Sequence, residues 1–123
     1  MPKIIQLKDG NESLYPICGE NGSNYVKLAD GTLICHGVSH FVTSGATGVN
    51  TITVTFPLTF ISSPTVIACW SDNASTDLLT HFSSLNVSRS NTSTTGFRAE
   101  TYQTVSGVAD SWYFKWIAIG HWK

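Results

Sequence analysis

The sequence predicts an all-β protein: an antiparallel β-sandwich preceded by an N-terminal β-hairpin arm. Short segments with apolar residues at every second position recur along the chain and are separated by turn residues, as in sandwiches and barrels. Helix signals are nearly absent, since only residues 75–82 could form a helical turn and they lack a sustained 3.6-residue period. The last twelve residues, 112–123, form a strand pattern that is apolar on both faces.

This final strand makes the strongest prediction about assembly. One face carries Trp112, Phe114, Trp116 and Ala118, and the other carries Tyr113, Lys115, Ile117 and Ile119. A half-buried strand alternates apolar with polar residues, so a strand that is apolar on both faces needs cover on both sides. The core covers one side, and the second cover must be another sheet layer or another subunit. The chain ends directly afterwards, which predicts a terminus locked into the fold.

The N-terminal arm occupies residues 1–23, and the sandwich occupies residues 24–123. Within the arm, residues 3–8 and 13–17 flank a Gly-containing loop, which is typical of a hairpin, and a flexible joint follows. An isolated hairpin is at best marginally stable in water. We therefore expect the arm to pack against its own domain or another copy of the chain.

The sandwich is predicted to contain a strand in each apolar segment. These segments are residues 25–28, 32–42, 51–56, 65–70, 79–89 and 96–104, followed by the final strand. The clearest alternation lies in the third segment, where Ile52, Val54 and Phe56 are expected to face the core and three threonines to face outward. An Asp-Gly pair between the first two segments predicts a tight turn.

Composition excludes several classes of function. The 123 residues fit one domain, and 7 basic residues against 8 acidic ones give a net charge of −1. Because no basic stripe could hold a phosphate backbone, no nucleic-acid partner is expected. Charged residues make up 12% of the chain, about half the usual share, and Ser, Thr and Asn replace them. No segment reaches the ~18 apolar residues of a membrane span, so no membrane insertion is expected.

The cysteines and the N-terminus predict folding in a reducing cytoplasm. The first residues lack the apolar run of a secretory signal peptide. Cys18, Cys35 and Cys69 cannot all pair within one chain, and their spacing matches no metal motif. We expect three free thiols, at least two of them buried; a single disulfide with one cysteine left over is the alternative.

Catalytic and metal-binding patterns are weak, so neither enzymatic activity nor a cofactor or metal is expected. His36 and His40 lie on one face of a predicted strand, but four residues span ~13 Å, too far for one metal unless Gly37 bends the strand. A symmetric oligomer could instead gather three copies of one histidine on its axis. No Gly-x-Ser-x-Gly motif is present. Glycoside cleavage needs a pair of carboxylates, and the spacing of the candidates selects no pair. These candidates are Asp72, Asp77, Glu100 and Asp110.

The aromatic residues give the candidate binding site. Trp116 and Trp70 are interpreted mainly as core residues, whereas Trp112 and Tyr102 lie beside predicted loops. An exposed ring can stack on the apolar face of a sugar, while nearby amides and carboxylates bind its hydroxyls. The predicted ligand-binding cluster is Trp70, Asp72, Asn73, Tyr102, Asp110 and Trp112, close to a subunit boundary.

Three segments together resemble the C-terminal domain of bacteriophage tail-fibre proteins. The first is Asn24-Tyr-Val-Lys-Leu-Ala-Asp-Gly-Thr-Leu-Ile-Cys-His-Gly37, which is similar to the opening of that domain. The second is Phe56-Pro-Leu-Thr-Phe60 with the following Pro-Thr-Val, and the third is Phe114-Lys-Trp-Ile-Ala-Ile-Gly120. The chain departs from the family pattern at His36, where the family usually has Trp or Tyr.

The resemblance implies a sandwich similar to H-type lectins that assembles as a homotrimer at a fibre tip. It implies a virion protein that binds a host cell-surface glycan or another receptor and contacts other tail or baseplate proteins. A non-binding structural or decoration protein of the virion is the alternative, and a carbohydrate-active enzyme is a third.

Overall fold

The computed structural model describes residues 8–9, 12–13, 20–42, 46–71, 84–106 and 111–123. In this part of the chain, all strand pairs are antiparallel, and the helical structure is one short 3-10 turn, Arg89–Asn91. The predicted all-β class is therefore confirmed. The strands are β1 (Lys8–Asp9), β2 (Glu12–Ser13), β3 (Glu20–Asn21), β4 (Tyr25–Lys27), β5 (Thr32–Val42), β6 (Gly48–Thr55), β7 (Thr65–Trp70), β8 (Asn86–Val87), β9 (Gly96–Gln103) and β10 (Ser111–His121).

Two sheets form the sandwich. One has five strands in the order β3-β4-β5-β10-β7, and the other has three in the order β6-β9-β8. Buried side chains from both sheets form a single hydrophobic cluster, which lies between them. This strand order leaves open strand edges: β6 is an edge strand of its sheet, and β4 pairs only with the first part of β5.

Strand β10 is the centre of the larger sheet. It pairs with β5 along its whole length and with β7 over six residues, Phe114 to Ile119. Its inward side chains, including Phe114 and Trp116, are buried. On its outward face, Tyr113 and Ile119 are exposed in the single chain, whereas Ile117 is half-buried. The prediction that one face of this strand packs on the core is thus confirmed. Its second apolar face has no cover within the described residues.

Aromatic rings fill the centre of the sandwich. The ring of Phe56 lies 5.1 Å from that of Phe60 and 5.8 Å from those of Phe97 and Trp116, measured between centroids. These separations are typical of stabilising aromatic pairs. Val54 is also buried, and the threonines between these β6 positions are exposed, so the predicted alternation is confirmed.

The predicted Asp-Gly turn connects β4 with β5. Gly31 adopts φ = 103°, a conformation that is strained for residues with a side chain. The Asp30 carboxylate accepts a 2.8 Å hydrogen bond from the Thr32 backbone N–H. Hydrogen bonds from Thr32 lower the pKa of Asp30. Because this pKa lies below its unfolded value, the stabilisation is present at neutral pH and is lost as the pH falls through the lowered pKa.

The same turn holds the C-terminus. The backbone N–H of Trp122 donates to the carbonyl of Gly31 at 2.9 Å, and its indole Nε1–H donates to the carbonyl of Leu28 at 2.9 Å. The ammonium groups of Lys27 and Lys123 lie 4.5 and 4.9 Å from the centroid of the Trp122 ring. The terminus is therefore fixed to the body of the sandwich, as the sequence predicted.

Two predicted segments differ from the structure. The strand expected over residues 79–89 is described only from residue 84, and there it is limited to β8, because the chain turns into the 3-10 helix directly afterwards. Part of the expected joint is strand: β3 pairs with β4 and extends the larger sheet by one short strand. The division between arm and sandwich itself stays a prediction.

The N-terminal hairpin is described only at its turn. Here β1 pairs with β2, with Lys8 opposite Ser13 and Asp9 opposite Glu12, as expected of the Gly-containing loop. The other residues of the predicted arm strands lie outside the described residues. Whether the arm packs on its own domain or on another copy stays a prediction.

We predict that Trp122→Phe lowers the free energy of unfolding by about 1–2 kcal/mol, because the indole hydrogen bond is lost and the cation–π contacts weaken. Urea denaturation at fixed protein concentration measures this change. The matched control is His121→Gln, a neighbouring exposed residue, for which we expect a change within about 0.5 kcal/mol. Equal stability of Trp122→Phe and the wild type would contradict this role of the Trp122 indole.

Candidate functional site

The strand ends that carry the predicted loop cluster gather at one end of the sandwich. Within the larger sheet, Trp112 lies opposite Phe41, and Trp70 lies opposite Phe114. Only five residues separate the end of β5 at Val42 from the start of β6 at Gly48, so the smaller sheet has its corresponding end close by. Tyr102 lies at this end of β9. The other three members of the predicted cluster lie outside the described residues: Asp72, Asn73 and Asp110.

The expected exposure of Trp112 is wrong. Its side chain is 3% exposed, because inward positions of β10 project between the sheets. Trp70 also faces inward, is half-buried, and its ring lies 5.7 Å from that of Phe41. Phe41 is fully buried and contacts the ring of Phe114. Trp112 therefore belongs to the core and cannot serve as an exposed stacking platform for a sugar in this structure.

Tyr102 is exposed as predicted, but it lies on the opposite side of the molecule's core from the outward face of β10. Its side chain is 47% exposed on the outer surface of the smaller sheet, opposite Val49. Two residues away, Glu100 accepts hydrogen bonds from Arg98, with Nε–Oε1 and Nη2–Oε1 distances of 2.8 and 2.6 Å. We call this surface the polar face, defined by Thr51, Thr53, Thr55, Arg98, Glu100 and Tyr102.

The outer surface of the larger sheet is different in character. It carries exposed aliphatic and aromatic side chains on three neighbouring strands. We call it the apolar face, defined by Val38, Val42, Ile67, Tyr113, Ile117 and Ile119. Exposed Cys69 and Lys115 lie opposite each other on this face, and the ring of His40 lies 5.1 Å from that of Tyr113. Contiguous apolar patches on a protein surface typically mark interaction sites.

Two clefts open at the sides of the sandwich, where the sheets are not joined. The β7–β8 cleft has a volume of about 400 Å³ and is lined by Ser63, Pro64, Val66, Val87, Arg89 and Thr92. The β5–β6 cleft has a volume of about 370 Å³ and is lined by Asn24, His36, Gly37, Val38, Ser39, Thr53, Val54, Thr55, Pro57 and Trp116. Both volumes lie within the range of small-molecule sites, ~300–1,000 Å³.

The thiols and histidines do not form a metal site within the described residues, where no three His, Cys, Asp or Glu side chains cluster. His36 and His40 lie on the outward side of β5, so a site on a symmetry axis stays a prediction. Cys35 is a free, buried thiol, and burial raises its pKa. Cys69 is free and exposed, so the expectation of at least two buried thiols depends on Cys18, which lies outside the described residues.

Comparison with known proteins identifies the family. The family model described as "Putative tail fiber protein gp53-like, C-terminal" matches residues 27–121, which is most of the chain. The chain belongs to this tail-fibre family. It is thus a tail-fibre component of a phage virion, and the resemblance noted in the sequence is confirmed. A comparison with curated proteins found no match.

A solved structure supports the fold of this tail-fibre domain. It is an N-truncated R1-type pyocin tail fibre, which is 20% identical, covers 83% of each chain and superposes with a TM-score of 0.58. At this identity the similarity establishes the fold alone. Within the described residues, no helix of the domain is long and apolar enough to cross a membrane.

The sequence interpretation missed the β5–β6 cleft of this tail-fibre domain. Its residues come from β5, β6, β10 and the segment before β4, so no local motif joins them. One local signal exists: Gly37 lies inside a long strand, and an interior strand glycine often marks a close approach of another group. Here a Cβ at Gly37 would lie 2.8 Å from Cζ2 of Trp116.

We predict that Trp112→Ala lowers the free energy of unfolding by about 3–5 kcal/mol, because it leaves a cavity in the core. Tyr102→Ala is the matched control, since this aromatic side chain is 47% exposed near the same end of the sandwich, and we expect a clearly smaller loss because no core cavity is left. Urea denaturation of both variants measures the difference. A Trp112→Ala protein as stable as the wild type would contradict the buried position of the indole.

Proposed function

We propose that this tail-fibre domain is a receptor-binding tip that attaches the virion to a glycan or another receptor on the host cell surface, without catalysing a reaction. The observation that carries the proposal is the contrast between its outer surfaces. The polar face presents hydroxyl groups, one ion pair and the exposed ring of Tyr102, with Val49 opposite it, whereas the apolar face presents mainly aliphatic side chains. A domain of this kind can contact its own copies on one side and a hydroxylated ligand elsewhere.

Assembly as a homotrimer through the apolar face is part of the proposal. Ile67 is 60% exposed in the single chain, and Val38, Tyr113 and Ile119 are also exposed on this face. Burying such a surface removes apolar area from water, at about 25 cal/mol per Å². A self-association of three copies would give the second face of β10 the cover that its sequence demands.

Trimerisation would also explain how weak single sites could hold a virion. Three linked copies turn the second and third binding events into intramolecular ones, which raises the overall avidity without new contacts. In the proposed arrangement, the domain's remaining contacts are with other proteins of the tail or baseplate.

The proposed tip binds its receptor without catalysing a reaction. Glu100 is the one carboxylate of the four considered for glycoside cleavage that lies within the described residues. Its Oε1 accepts two close contacts from Arg98, so its charge is compensated on the polar face. Release of reducing ends from host polysaccharide by the purified protein would contradict this part of the proposal.

We predict that light scattering gives a mass of three times 13.4 kDa, about 40 kDa, for the purified protein. Ile67→Asp should reduce this mass to that of a monomer while the far-ultraviolet circular dichroism stays unchanged, because a charge buried in an apolar interface is costly. Val49→Asp is the matched control, since Val49 is 67% exposed but lies on the smaller sheet. A wild-type monomer at micromolar concentration would exclude the trimer.

We predict that the fluorescently labelled trimer binds intact cells of a susceptible host strain and a subset of glycans on an array. A variant that is monomeric should bind cells far more weakly, because avidity is lost. If the trimer forms but binds neither any host strain nor any glycan, the receptor-binding proposal fails. The domain would then be a structural or decoration protein of the virion.

A further inference from the structure

The β5–β6 cleft exists because two strand edges are left open beside each other. Strand β4 pairs with β5 only from Leu33 to Cys35, and no strand among the described residues pairs with this edge of β5 beyond that point. Strand β6 is likewise paired only with β9. The His36 N–H still donates to the Asn24 carbonyl at 3.0 Å, and beyond it the two edges border a cleft that a small polar molecule could enter.

Gly37 and Trp116 form the wall of this cleft. The two residues lie opposite each other on β5 and β10, and the indole occupies the space that a side chain at position 37 would need. The atoms nearest to a Cβ built on Gly37 are Cζ2, Cε2 and Nε1 of Trp116, at 2.8, 3.0 and 3.1 Å. The nitrogen-bearing edge of the ring is thus turned toward Gly37, which itself lines the cleft.

The indole N–H of Trp116 is a buried donor without a partner. The side chain is 7% exposed, and Nε1 has no hydrogen-bond acceptor among the described residues. Buried donors are satisfied in nearly all native structures, so an unsatisfied one at the wall of a cleft points to an acceptor that enters from outside. An oxygen atom of a ligand lying beside Gly37 would supply it.

The remaining lining specifies the chemistry of that ligand. Ser39, Thr53 and Thr55 contribute hydroxyl groups, Asn24 contributes an amide, and His36 contributes an imidazole. None of the lining residues is Asp, Glu, Lys or Arg, so the lining offers hydrogen-bonding groups rather than a carboxylate, ammonium or guanidinium partner. The hydroxyl groups of a neutral ligand can bond to the hydroxyls and the amide of this lining. An apolar ring face of the same ligand can lie against Trp116. The β7–β8 cleft differs in this respect, because Arg89 lines it.

We infer that the β5–β6 cleft is a saccharide subsite, which binds one neutral sugar unit of a surface glycan and presents the Trp116 indole N–H to one of its oxygens. This inference rests on the proposed receptor-binding function and assigns that function to a definite site. It places the site at the side of the sandwich, away from the predicted loop cluster.

The test follows the Trp116 indole N–H resonance in the full-length, ¹⁵N-labelled protein, with the resonance assigned from Trp116→Phe. The probes are methyl glycosides of glucose, galactose and N-acetylglucosamine, inorganic phosphate, and a synthetic peptide of residues 48–55. We expect at least one glycoside to shift this resonance in a saturable way, and phosphate and the peptide to leave it unchanged. A shift caused only by the peptide or by phosphate would overturn the saccharide assignment.

Two variants that keep the core intact test the site independently of Trp116. Ser39→Ala and Thr55→Val should each weaken binding of the same glycoside several-fold, whereas Thr51→Val, on the same strand but outside the cleft, should bind like the wild type. Equal binding by all three variants would overturn the site. If the trimer binds host cells while no glycoside shifts the resonance, the cleft assignment fails and the receptor-binding function stands. If a glycoside binds in the cleft but no host cell binds, the cleft assignment stands and the function fails.

Discussion

The structure depends on one strand that is bonded on both edges and apolar on both faces. Strand β10 lies between β5 and β7, and its inward side chains supply much of the wall against which Phe56 and Phe97 pack. Its end is fixed by Trp122, which bonds to the turn at Gly31. Strand β10 therefore joins the core, the larger sheet and the turn at Gly31 in one element.

The two faces of β10 also decide what the surfaces can do. Because the inward face fills the core, the outward face leaves an apolar surface on the larger sheet, while the smaller sheet has threonines and an ion pair on its outside. The two outer surfaces of the domain therefore differ in chemistry. Its copies can associate through the first without covering the second.

The sequence predicted those features that depend on local alternation. The bounds of β5 and β7, the inward positions Val54 and Phe56, and the tight turn at Gly31 all follow from patterns a few residues long. The same alternation places Trp112 on the buried face of Phe114 and Trp116, and the expectation of an exposed ring gave more weight to the neighbouring loop than to this face. Local alternation does not show which strands pair, such as β10 between β5 and β7, because strand pairing is a long-range property.

The β5–β6 cleft has the same long-range origin, and it bears on the proposed assembly. Val38 and His36 line the cleft and also lie on the outward side of β5, which belongs to the surface proposed to trimerise. A neighbouring copy on the apolar face would therefore stand at the rim of the cleft. Because Val38 belongs both to the apolar face and to the lining of the cleft, the cleft would lie beside the subunit boundary of the proposed trimer. Three such clefts on one tip would then provide the repeated, individually weak sites from which avidity arises.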